Sequence, residues 1–109
     1  MSPITIIIYA TKIGREPYSD WEDTLDKKLQ AIIKNRLDSM RLGNLGDLKR
    51  IKDGCGVWEL RIDYGPGCRI YFGKKETTMV ILLTGGDKRS QKHDIAKAKQ
   101  YWTDCKDMI

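Results

Sequence analysis

Apolar and polar residues alternate through Val57–Tyr64 and again through Cys68–Lys74, the period of half-buried β-strands. Trp58, Leu60, Ile62 and Tyr64 fall on one face of the first run, and Val57, Glu59, Arg61 and Asp63 on the other. Gly65-Pro66-Gly67 between the runs is a turn signal. A hairpin closed by those three residues pairs Tyr64 with Cys68. It sets Ile62 against Ile70 and Leu60 against Phe72 on the apolar face, with Asp63 against Arg69 and Arg61 against Tyr71 on the other. Residues 3–9, rich in β-branched side chains, predict a further strand. Met79–Leu83 is apolar at every position, which predicts a central strand buried on both faces.

The period changes to three and four over residues 19–42, where Trp21, Leu25, Leu29, Ile32, Ile33, Leu37 and Met40 form one helical stripe. Ser19 and Glu22 have the spacing of a capping box. Asp26 is placed to cap a second helix, so the stretch reads as one helix or as an αα-hairpin broken near Leu25. Gly43, Asn44 and Gly46 end it, and residues 45–56 read as irregular. A last helix starts at Asp87 or Ser90, with Ile95, Ala98, Trp102 and Cys105 inward. The order β-α(α)-β-β-β-α predicts an α+β fold whose mainly antiparallel sheet packs against helices on one face. The other face presents Glu59, Arg61, Arg69 and Tyr71.

With 109 residues, a single domain spanning 1–109 is expected. No apolar run approaches the roughly 20 residues of a spanning helix. The N-terminus lacks an export signal, so a cytoplasmic protein with no membrane partner is expected. Cys55, Cys68 and Cys105 are odd in number, widely spaced and outside any CxxC, and read as free thiols. A single histidine, His93, argues against a His-based metal site. The net charge is +5. Between Lys88 and Lys99, five basic residues stand against one acid, Asp94. A local excess of that kind suits a polyanion, of which nucleic acid is the commonest.

Two arginines, a carboxylate and a tyrosine on one sheet face can hold a phosphodiester, because the guanidinium fork donates paired hydrogen bonds and stays charged. RNA supplies its own nucleophile, the 2′-hydroxyl, so its cleavage needs neither metal nor cofactor. It needs in-line positioning, a proton acceptor, positive charge on the phosphate and a proton for the leaving oxygen. Glu59 is the expected base, Arg61 and Arg69 the transition-state stabilisers, and Lys88 the residue near the leaving group. Tyr71 is expected to stack on a base, with Lys49, Lys52, Arg89 and Lys92 as further RNA contacts. Each has a plainer reading. Arg69 can simply pair with Asp63 across the strands. Lys88 and its neighbours can form a solvated helix face, with His93 an exposed helical residue. Trp21, Trp58 and Trp102 read as core anchors, and Gly85-Gly86 as a turn or a phosphate-binding nest.

Gly43–Lys49, the block W-E-L-R-I-D-Y-G-P-G-C-R-I-Y-F from Trp58 to Phe72, and Leu82–Lys88 with Gln91, Asp94-Ile95 and Ala98 resemble the RelE/ParE superfamily, most closely its HigB-like addiction-module killer proteins. The resemblance runs from about Trp21 to Trp102. It implies a RelE-like fold and the toxin of a type II toxin–antitoxin pair. RelE-like and HigB-like members cut mRNA in the ribosomal A site, without metal, through the 2′-hydroxyl. Arg69 falls on the arginine of the family's Gly-x-Arg strand, held to stabilise the scissile phosphate. Arg61 falls on a basic position one strand earlier, and Lys88 and Arg89 on basic positions after the last strand. Glu59 stands where the founding toxins carry lysine, and the family's C-terminal catalytic tyrosine or histidine has no clear counterpart. A ParE-like alternative, in which the same scaffold inhibits DNA gyrase and cleaves nothing, stays open. The implied partners are a cognate antitoxin of helix-turn-helix type, the ribosome with its mRNA, and operator DNA reached through the antitoxin.

Overall fold

A computed structural model of the chain describes residues 3–53 and 56–109. The elements are β1 (Thr5–Ile8), α1 (Pro17–Glu22), α2 (Lys27–Arg41), β2 (Leu48–Arg50), β3 (Val57–Ile62), β4 (Cys68–Lys75), β5 (Met79–Gly86) and α3 (Gln91–Cys105). One five-stranded sheet has the order β1-β5-β4-β3-β2. β1 runs parallel to β5, and the other pairs are antiparallel. This is the expected α+β class.

Both sheet faces are covered, and the expectation of one open polar face is corrected. Leu60, Ile62, Ile70, Phe72, Val80 and Leu82 pack under α1 and α2 against Tyr18, Ile33, Leu37 and Met40. Val57, Tyr71, Ile81 and Leu83 pack under α3 against Ala98, Trp102 and Cys105. β5 feeds both layers, as its unbroken apolar run requires, although the middle position of the sheet belongs to β4. Trp102 is buried, and Trp21 and Trp58 are packed at the edge of the α1/α2 layer.

The helical run is two helices. α1 starts with Pro17 after Glu16, where a missing amide hydrogen costs nothing. Ser19 is therefore inside the helix and donates to Glu16 Oε1 at 2.8 Å, so the expected capping box does not form. Asp26 caps α2 by accepting the Leu29 amide at 2.7 Å. Asp26→Ala should lower stability by about 1 kcal/mol, read as a fall of roughly 4–8 °C in a thermal melt. α2 closes where Gly43, at φ 96°, donates to Met40 O and Asn44 to Ser39 O, the double bond of a Schellman motif.

Two further expectations change. Residues 45–56 hold a short edge strand, β2, paired with β3 through Leu48↔Leu60, Lys49↔Glu59 and Arg50↔Trp58. The β3–β4 hairpin is closed by five residues, Asp63–Gly67, so Ile62 faces Cys68, Leu60 faces Ile70, Glu59 faces Tyr71 and Arg61 faces Arg69. That is a slip of two residues from the expected register, which moves every partner and keeps every face. Cys68 and Cys105 are free buried thiols, as expected, while Cys55 lies outside the described residues.

Candidate functional site

The hairpin register puts two arginines side by side. Arg61 and Arg69 are direct partners on β3 and β4, a pairing of like charges that costs stability unless a counter-charge is near. Glu59 supplies it. Its carboxylate is 0% exposed, and Oε1 lies 2.6 Å from Arg69 Nε and 3.8 Å from Arg61 Nε. The Arg69 Nε–H is not aimed along that line, so the contact is ionic rather than a well-directed hydrogen bond. Gln91, the first residue of α3, donates from Nε2 to the same oxygen at 3.3 Å. The Arg69 side chain is 14% exposed and that of Arg61 42%. One guanidinium is thus held near the sheet and the other reaches toward water.

Both arginines line a cleft of about 270 Å³ at the hairpin end of the sheet, together with Asp47, Asp63, Gly67 and Cys68. Asp47 reaches this place because its carbonyl accepts the Arg61 amide at 3.2 Å. Burial pushes the Cys68 thiol up to about 11, so its sulfur stays protonated and unreactive at neutral pH. Asp63 does not pair across the strands with Arg69, because the slipped register gives that place to Arg61.

The expected site residues divide into three groups. Glu59, Arg61 and Arg69 come together. Lys49 is the register partner of Glu59 on β2, and Gly86 that of Arg69, so Lys88 and Arg89 leave the sheet at the cleft end. Lys88, Arg89 and the exposed Lys92 in the first turn of α3 stand there in solvent, and His93 beside them is an exposed helical residue. Lys52 lies beyond β2 at the opposite end, near Val57, and is not part of this cluster. Tyr71 is 0% exposed beneath α3. Its covered ring has no face to offer a nucleobase, so the expected stacking role does not fit this arrangement. Burial, with Glu59 and Asp94 nearby, pushes its hydroxyl well above the usual tyrosine range. Glu59 is likewise sealed from water, which does not suit the proton acceptor expected there. The acidic groups that do line the cleft, Asp47 and Asp63, were missed. Asp63 reads as a simple cross-strand partner under the three-residue turn, and Asp47 sits in the stretch read as irregular.

The start of α3 closes the cluster. Ser90 Oγ donates to the buried Asp94 Oδ2 at 2.5 Å, and both side chains lie against Gly86, where any Cβ would collide with them. Gly85 lies against the Trp21 ring in the same way. Gly85-Gly86 is therefore neither a turn nor a nest, but the last two residues of β5, bare so that elements on opposite faces can approach. Among the described residues, no group of three or more His, Cys, Asp or Glu is placed to hold a metal ion. Among them, no helix is long and apolar enough to cross a membrane.

Two comparisons bear on this arrangement. The profile of the family described as "Phage derived protein Gp49-like (DUF891)" matches residues 20–103. An uncharacterized protein of Haemophilus influenzae is 41% identical over 83 residues, covering 75% of this chain and 82% of its own length. The family match runs from the second half of α1 to near the end of α3 and takes in every residue lining the cleft.

Proposed function

This chain belongs to the phage-derived Gp49-like family, a toxin-like family of type II toxin–antitoxin systems, and on that premise we propose that it arrests growth by cutting mRNA on the ribosome. The observation that carries the reading is the Arg61/Arg69 pair. Two guanidiniums sit in register at the mouth of a cleft, steadied by one buried carboxylate. The sequence resemblance to RelE/ParE-superfamily and HigB-like toxins, carried in part by the same two arginines, is in keeping with it.

In this reading a scissile phosphate enters the cleft and its non-bridging oxygens meet Arg69 and Arg61. The adjacent 2′-oxygen bonds to phosphorus as the bond to the 5′-oxygen breaks, leaving a 2′,3′-cyclic phosphate and a free 5′-hydroxyl. The 2′-hydroxyl proton passes to a carboxylate in the cleft, Asp47 or Asp63, in place of Glu59. Lys88 stands near the departing 5′-oxygen and supplies its proton. The preorganised charge then acts where negative charge develops, which is the largest single contribution in many enzymes. No cofactor takes part. Asp47 and Asp63 make the cleft itself mixed in sign. Attraction of the RNA falls to Lys49, Lys88, Arg89 and Lys92 around it, and binding should weaken steeply with salt. A toxin-like family implies a cognate antitoxin. We take it to be of helix-turn-helix type, to cover the basic residues and to carry the complex to operator DNA.

Sequencing mRNA 5′ ends shortly after induction tests the reading. New ends inside translated codons are expected, with supercoiling by purified gyrase unaffected. Gyrase inhibited and mRNA uncut would overturn it in favour of the ParE-like alternative. Arg61→Ala should lower cleavage by roughly a hundred- to a thousandfold. Its melting temperature should move little, because the change removes a like charge beside Arg69 and leaves the closer Arg69–Glu59 pair in place.

A further inference from the structure

A second pocket opens beside the arginine cleft. It has a volume of about 210 Å³ and is walled by Trp21, Leu25, Leu29, Tyr64 and Pro66. Gly67 and Cys68 line both hollows, so the two meet at the foot of the hairpin loop. We propose that this pocket receives one nucleobase of the RNA whose phosphate lies between Arg61 and Arg69, a reading that rests on the function proposed above.

The two hollows have the chemistry of the two halves of a nucleotide. The cleft carries guanidiniums, which suit a phosphate. The pocket carries an indole, a phenol and a proline ring, the surfaces on which an unstacked base packs. A volume of 210 Å³ is below the roughly 300–1,000 Å³ of ordinary small-molecule sites. It suits a single planar ring and is too small for a helix. Trp21 is fixed in place because its six-membered ring lies on bare Gly85. Tyr64 is held at the loop by the turn in which the Gly67 amide donates to Tyr64 O at 3.0 Å. Both aromatic side chains are half-buried, each keeping part of its surface open. Asp87 also lines the pocket, and Lys28 Nζ, 5.8 Å from the centre of the Tyr64 ring, sets a positive charge against that carboxylate. An apolar side chain of an antitoxin also fits such walls. Continuity with the arginines favours a nucleotide over it. The pocket provides the stacking surface that buried Tyr71 does not.

The test uses the whole protein and two 2′-O-methyl trinucleotides, whose blocked 2′-oxygen prevents cleavage. One carries 2-aminopurine, whose emission falls on stacking, and the other an abasic residue at that position. The wild type should bind the base-bearing strand about tenfold tighter than the abasic one, with quenched emission. Tyr64→Ala should bring that ratio close to one while leaving affinity for the abasic strand unchanged. Tyr64→Leu, which keeps the apolar volume and hence the fold, should do the same. Arg69→Ala in an E59Q background should weaken both strands alike. Equal binding of the two strands by the wild type would overturn the pocket and leave the phosphate cleft standing. Failure of both strands to bind would overturn the pocket and the RNA reading together. Tyr64 variants that bind RNA normally but lose antitoxin would overturn the proposal and assign the pocket to a protein side chain.

Discussion

Arg69→Ala is expected to abolish growth arrest and, in the same step, to strip the protein of much of its stability. The two effects share one cause. Glu59 is fully buried and Arg69 nearly so, with 2.6 Å between Oε1 and Nε. Removing Arg69 leaves the buried Glu59 with only the more distant Arg61, at 3.8 Å, so the cost approaches the roughly 3–5 kcal/mol of a broken buried pair. Native domains hold only about 5–15 kcal/mol in all. The melting temperature should therefore fall by roughly 12 °C or more. Loss of toxicity in the single variant thus cannot by itself place Arg69 in the chemistry. The double variant Glu59→Gln/Arg69→Ala separates the effects. A neutral amide at position 59 needs no counter-charge, still fits the site and keeps a hydrogen-bonding partner in Gln91. It should regain more than half of the lost stability in a thermal melt and remain non-toxic. A stable double variant that arrests growth would remove Arg69 from the mechanism. Glu59→Gln alone leaves two adjacent arginines without their counter-charge, so it should also lower stability, by less than Arg69→Ala because the guanidinium can turn toward water, and its toxicity should fall between those of the wild type and the double variant.

The expected faces held and the expected partners did not, for a physical reason. Side chains alternate with period two along a strand, so Glu59, Arg61 and Arg69 had to share a face whatever the pairing. A slip of two residues leaves that alternation intact, so alternation cannot choose between Arg61 opposite Tyr71 and Arg61 opposite Arg69. The loop chooses, and Gly65-Pro66-Gly67 signals a turn without fixing whether three or five residues close it. β2 is three residues long with one half-buried side chain, Leu48, too little to register as a pattern. Its edge position sets it, and with it the place of Asp47. The burial of Glu59 and Tyr71 was illegible for another reason. Arg61 and Arg69 stand beside them on the same face, which reads as solvated, and only the docking of α3 over it, through Gln91 and Trp102, takes Glu59 and Tyr71 out of water. Gly85 and Gly86 read as a turn because glycine pairs mark turns. Here they are strand residues that have lost their side chains to make room for Trp21 on one face and for Asp94 and Ser90 on the other.

The same logic makes Trp102 the side chain on which the site's cover depends. It is 6% exposed, and its six-membered ring lies on Gly73 of β4, where any Cβ would collide with it. Trp102→Ala should cost about 3–5 kcal/mol, as large-to-small changes of buried aromatics do. α3 should loosen along its length, and with it the contact of Gln91 with Glu59. Gly73→Ala alone should cost about 1–3 kcal/mol by overpacking under the ring. Combined, the two should fall well short of their sum, because the alanine methyl enters space the indole has left. That shortfall, at least about 1 kcal/mol, is the coupling expected of residues in direct contact. Gly85→Ala is the control. It meets Trp21 on the other face of the sheet, so its cost should add in full to that of Trp102→Ala. Thermal melts of the three single and two double variants with the wild type decide it. Additive costs for Gly73 and Trp102 would mean that α3 does not sit on β4 through this contact, and the shelter of Glu59 would need another source.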